Sequence, residues 1–113
     1  MDKLEILLQN WAGKEYSCIQ EGDVAIAPCY LVNPYGMGAL KGNGICAEQT
    51  LQSEVCFFVE TKKTAVEIAT QLRQRFVMNK YVCMDLEIEY EKSAKAWRVI
   101  LLVEHVLERN ETE

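Results

Sequence analysis

The sequence predicts an α+β fold: a mostly antiparallel sheet of four to five strands with two helices packed on one face, ordered helix, strands, helix, β-hairpin. Three observations predict it. Residues 51–60 and 81–90 alternate their side chains with the period of two that a half-buried strand needs. Between them, Ala65, Ile68, Ala69, Leu72 and Phe76 recur at the spacing of one helix face. Beyond residue 90, a polar Glu91-Lys92-Ser93-Ala94-Lys95 turn leads into Trp97–Leu107, which is apolar on both rows. Strands grouped before and after a helix, and not alternating with helices, favour an antiparallel sheet.

Taken in order, Leu4, Leu7, Leu8 and Trp11 predict a short amphipathic helix over residues 2–12, stopped by Gly13. Tyr16–Ile19 reads as a short strand and Glu21-Gly22-Asp23 as a turn. Val24–Val32 holds β-formers but also Pro28, which makes it an edge or interrupted strand. Gly36, Gly38, Gly42 and Gly44 follow, so residues 33–45 read as a mobile loop or wide hairpin tip. A strand from Ile45, bent near Glu48, runs into the 51–60 strand. There Leu51, Ser53, Val55, Phe57 and Val59 form the row expected to face the helix. Gln52, Glu54, Cys56, Phe58 and Glu60 form the row left for solvent or a neighbour. The helix spans 62–77, capped by Thr61 or by Thr64 with Glu67, and stops at Asn79. In the next strand Val82, Met84, Leu86, Ile88 and Tyr90 share one row. Tyr81, Cys83, Asp85, Glu87 and Glu89 share the other. The two-sided 97–107 strand should be central, or have its second face covered. The tail, 108–113, is polar and should fray.

With 113 residues, half of them hydrophobic, the chain is expected to form a single domain over residues 1–113. A net charge of −5 argues against a nucleic-acid backbone as main partner, which needs a dense basic face. Lys62, Lys63, Arg73, Arg75 and Lys80 lie close in sequence and read as a solvated helix face. The five cysteines are odd in number and contain no CxxC pair, and no basic-then-apolar leader opens the chain. The expectation is a cytosolic protein with free, mostly buried thiols. No run approaches the ~20 apolar residues of a membrane span, so no membrane partner is expected.

Gly42-Asn43-Gly44-Ile45-Cys46-Ala47 matches a GxGxxA fingerprint in letters. That motif needs a strand before it and a helix opening on it, whereas this segment leads into a strand. His105 is the sole histidine, with no cysteine placed beside it by sequence and no short ligand spacing for a metal. Asp85, Glu87 and Glu89 line one strand face. Such a row is first a solvated face, next a protein contact, and only then acid–base or cation chemistry. Tyr35, beside the glycines, is the best candidate for an exposed aromatic anchor. The expectation is therefore no catalytic residue, no metal, no cofactor and no enzyme, but a scaffold whose sheet edges suit assembly.

Residues 51–107 resemble the tail terminator and tail completion proteins of bacteriophages and contractile tail-like particles. The likeness lies in the strand Glu54–Val59 entering helix Thr64–Phe76, the tyrosine-led strand Tyr81–Tyr90 and the return strand Trp97–Leu107. Pro28-Cys29-Tyr30-Leu31-Val32 is similar to the family's early strand. The resemblance implies a virion structural protein, made in the host cytoplasm and located in the tail. A ring, typically a hexamer, would cap the tail tube and give the head a joining surface. Its partners would be its own copies, the tail tube protein, and a sheath or head-completion protein, with DNA passing through the lumen unbound. The residues it points to are positional. Tyr35, Met37 and Leu40, in the Tyr35–Gly44 loop, would touch a neighbour or the tube. Asp85, Glu87 and Glu89 would face the lumen or a subunit, and Trp97 would lie at an interface. The chain is also similar to acidic secretion-type chaperones that bind an unfolded effector segment. Those usually end in a further helix, which only Val103–Glu111 could supply.

Overall fold

A computed structural model describes residues 3–42 and 45–107, and the side chains of residues 3–33 and 52–105. The elements are α1 (Lys3–Ala12), β1 (Ser17–Cys18), β2 (Cys29–Gly42), β3 (Ile45–Val59), α2 (Lys62–Met78), β4 (Tyr81–Glu91) and β5 (Ala96–Leu107). The architecture is α+β, with two helices and one five-stranded, mostly antiparallel sheet in the order β1-β2-β3-β5-β4. Only the two-residue β1 pairs in parallel, with Cys29 and Tyr30 of β2.

Both helices start and stop where local chemistry dictates. In α1, Leu4, Leu8 and Ala12 lie four apart and are buried. Gly13, at φ +59°, returns its N–H to the Gln9 carbonyl at 2.9 Å, the left-handed stop a glycine makes cheaply. In α2, Thr61 is the N-cap. Its hydroxyl accepts the Thr64 N–H at 3.1 Å, so the alternative box built on Thr64 and Glu67 does not form the cap. Asn79 closes the helix, with its side-chain amide donating to the Arg75 carbonyl at 2.8 Å. Lys80 then takes φ +64°, where glycine is usual.

The region expected to be a loop, residues 33–45, is strand throughout its described part. β2 pairs antiparallel with β3 from Cys29↔Phe58 out to Gly42↔Ile45. The register steps at Pro34/Gly36 and at Leu40/Lys41, so Tyr35 and Ala47 are the extra residues of two bulges. The second bulge is the bend expected near Glu48. A proline is tolerated inside β2 because β1 covers only its first two residues, leaving the outer side unpaired among the described residues. At ~3.3 Å per residue the fifteen residues of β3 account for the 48 Å long axis of the molecule.

β3 and β4 both run antiparallel to β5, which lies between them. α2 is thus the crossover of a split β-α-β unit, and it lies over the face that carries Tyr30, Val55, Phe57, Val59, Val99, Leu101 and Val103. These residues and the buried stripes of α1 and α2 form one core. Phe57 is its hub: its ring meets Tyr30 at 5.0 Å and Trp11 and Tyr16 at 5.5 Å. The expected apolar row of β4 is corrected. Cys83 pairs with Val103 and Asp85 with Leu102, so Met84 is a bulge residue that reverses the alternation. Tyr81 and Cys83 therefore join the helix-side core together with Leu86 and Ile88, while Val82 and Met84 are exposed.

Among the described residues, the sheet's second face carries no helix. At one end Cys29, Cys56, Phe58 and Ala96 are nevertheless buried, because Ile19, Ala25 and Ala27 of the β1–β2 connection lie over them. The row on β3 expected to stay open is therefore covered at Cys56 and Phe58, and half-buried at Gln52 and Glu54. The 108–113 tail lies outside the described residues.

Candidate interaction surfaces

The acidic row comes from the geometry of β4. Leu86 and Ile88 point into the helix-side core, so Asp85, Glu87 and Glu89 alternate onto the helix-free face, and all three are exposed. Arg98, on the same face of β5, is paired with Glu89 and sits 3.8 Å from Glu91. Ser93 donates to Glu91 at 2.8 Å, and this bond first, with Arg98 further off, holds the carboxyl below its usual 4.5. Farther along this face Gln52 donates to Glu104 at 3.2 Å. The face is mostly polar at its open end, where Val82 is exposed among the charges, and apolar where the connection covers it.

A second surface lies on the helix side, between α2 and β4. Val66, Ala69, Val77, Met78 and Leu86, with Arg73, line an open groove of about 650 Å³. Val77 and Met78 are more than two-thirds exposed. A helix row of this kind normally faces a core, so leaving it open is a cost the fold does not recover within one chain.

A third surface is the outer edge of β2. From Leu31 to Gly42 its backbone has no strand partner among the described residues. Beyond the Leu51↔His105 level, where β4 ends, the β2–β3 ribbon continues for six residues of β3, about 20 Å. Such an edge accepts another strand unless it is blocked.

The expected interface residues therefore fall in three separate places. Tyr35 lies at the β2 bulge, Met37 opposite Leu51 and Leu40 opposite Glu48, all on the ribbon, with side chains outside the described residues. Asp85, Glu87 and Glu89 lie on the helix-free face. Trp97 belongs to the helix side, half-buried, with Tyr90 edge-on at 5.5 Å and the Lys62 ammonium 5.7 Å above its ring. Its surroundings within the chain are packing contacts. The α2–β4 groove was not anticipated. Val66, Val77 and Met78 lie off the expected buried stripe of α2, and that excess of apolar residues was its signal.

Cys29 and Cys56 are buried, and burial pushes Cys56 up to about 12. His105 is buried against Tyr81, ring to ring at 4.8 Å. Among the described residues no cluster of three His, Cys, Asp or Glu could hold a metal, and no helix is long and apolar enough to cross a membrane. No family model and no curated protein matches this chain.

Proposed function

We propose that the chain is a structural subunit of a bacteriophage tail or tail-like particle. Its copies form a ring, a hexamer in the family it resembles, that caps the tail tube and offers the head its joining surface. The observation that carries this reading is the β2–β3 ribbon, which runs past the body of the sheet with its outer edge unpaired from Leu31 onward among the described residues. An edge of that length is an aggregation hazard in a free monomer, and closed symmetry is one way to remove it. Bare apolar positions at Val77 and Met78, and helices confined to one face, support the same reading. The acidic row on the bare sheet face is suited to a charged contact with a neighbouring subunit. In this reading the protein performs no catalytic step, and its partners are its own copies, the tube protein and a sheath or head-completion protein.

The test is native mass spectrometry and electron microscopy of the purified chain, alone and mixed with tail tubes. Rings, or chain seated on tube ends, are the expected result. A chain that stays monomeric and leaves tube ends bare ends the proposal.

The α2–β4 groove keeps a secretion-type chaperone as the second reading, because an apolar trough can seat an unfolded segment. Against it, residues 103–107 are strand, not the start of a closing helix. A stable dimer that solubilises an unfolded effector would favour the chaperone.

A further inference from the structure

A cleft of about 570 Å³ lies where α1 meets the C-terminal end of α2. Arg75, Asn79 and Lys80 form one wall, Lys3, Leu7 and Asn10 the other, and Trp11, Tyr81 and His105 also line it. Among the described residues, no acidic side chain lines this cleft. The end of a helix favours cations, and Arg75 and Lys80 take that place. Among the described residues neither of them enters an ion pair. On the opposite face of the sheet the balance is reversed. Glu89 is taken by Arg98, but among the described residues Asp85 and Glu87 enter no ion pair. Exposed Val82 lies on that face too.

We infer that the cleft receives the Asp85–Glu87 row of a second copy of this chain. The inference rests on the ring reading and names its contact. Two uncompensated cations on the helix side match two uncompensated carboxylates on the bare side. Apolar Leu7 and Trp11 offer the incoming Val82 a surface that excludes water. The charges select orientation more than they supply affinity. A row-to-row contact would set carboxylate against carboxylate, so the symmetric dimer is disfavoured. A cleft-to-row contact joins two different surfaces, and repeated around an axis it closes a ring. The helix layer of one copy then covers the open end of the next copy's sheet.

Charge reversal tests it, with assembly read by native mass and by seating on tail tubes. Arg75→Glu with Lys80→Glu, and separately Asp85→Lys with Glu87→Lys, should each lower ring formation at least tenfold. The chain carrying all four changes should recover it. Lys80→Gly relieves the positive φ and so keeps the fold. It should weaken assembly severalfold while melting no lower than the parent. If both reversed variants assemble like the parent, the contact is wrong and the ring reading stands. Intact rings from the Arg75/Lys80 variant that no longer seat on tubes would assign the cleft to the tube protein and overturn the inference. A parent chain that forms no ring with or without tubes overturns both.

Discussion

The two faces of the sheet are built by different means. On the helix side, α1 and α2 lay regular apolar stripes over Val55, Phe57, Val59, Val99, Leu101 and Val103, and nearly every one of these side chains is sealed. On the other side an irregular ten-residue connection does the covering, with small residues. Ala25 and Ala27 point in, while Val24 and Ile26 stay 80% and 74% exposed. Regular elements bury a wide continuous area. An irregular segment covers only what its own turns permit, so half of the second face remains polar and open. That difference makes one face a core and the other a surface available to partners.

The sharpest break of this comparison lies within two adjacent residues of β3. Phe57→Ala should cost about 3–5 kcal/mol in urea unfolding, because it empties the ring cluster of Trp11, Tyr16 and Tyr30. Phe58→Ala should cost about 2 kcal/mol, since the connection above it can settle into the gap. Equal costs would mean that both faces are rigid cores. Thiol labelling probes the cover directly. Cys18 should react quickly, and Cys29 and Cys56 only at the rate at which the connection opens. Fast labelling of Cys56 in the folded protein would show that the second face is not sealed.

Smaller effects sharpen the contrast. Thr61→Ala should cost about 1 kcal/mol by removing the α2 cap, a loss confined to the helix side. Lys95→Gly, at φ +51° in the β4–β5 turn, should raise stability by about 0.5–1 kcal/mol on the other side of the balance. The least effect is one of pH. Glu91 is held below 4.5 by Ser93, so its contribution is present above that value and lost as pH falls through its folded-state pKa. Exchange at the turn amides of residues 92–95 should quicken slightly there, with the Phe57 cluster unchanged.

Much of this fold was legible because its signals are local. The α2 stripe, the Thr61 cap, the Gly13 stop and the two-sided β5 strand all follow from spacing and residue type. The β2 strand was not legible. Glycines and prolines carry no alternation to read, so a stretch with Pro34, Gly36, Gly38 and Gly42 resembles a loop until pairing with β3 makes it a strand. The Asn43-Gly44 dipeptide, a strong hairpin signal, pointed to that pairing. The Met84 bulge was hidden for a different reason: Val82, Met84, Leu86 and Ile88 look like one clean row, and only the register with β5 reveals the shift. Of the candidate surfaces, the acidic row was visible in sequence. The cleft was not, because its walls come from residues 3–11 and 75–81 and from His105.

By itself the sequence determined which segments are helices, where α1 and α2 stop, and that Val55, Phe57 and Val59 of β3 face the helices, since helix periodicity, capping and alternation act over a few neighbouring residues. Tertiary structure alone decided that residues 33–42 are strand, that β5 inserts between β3 and β4, and that unpaired charges collect on opposite sides of the sheet. Those outcomes depend on backbone hydrogen bonds and packing between residues far apart along the chain, which no local pattern encodes.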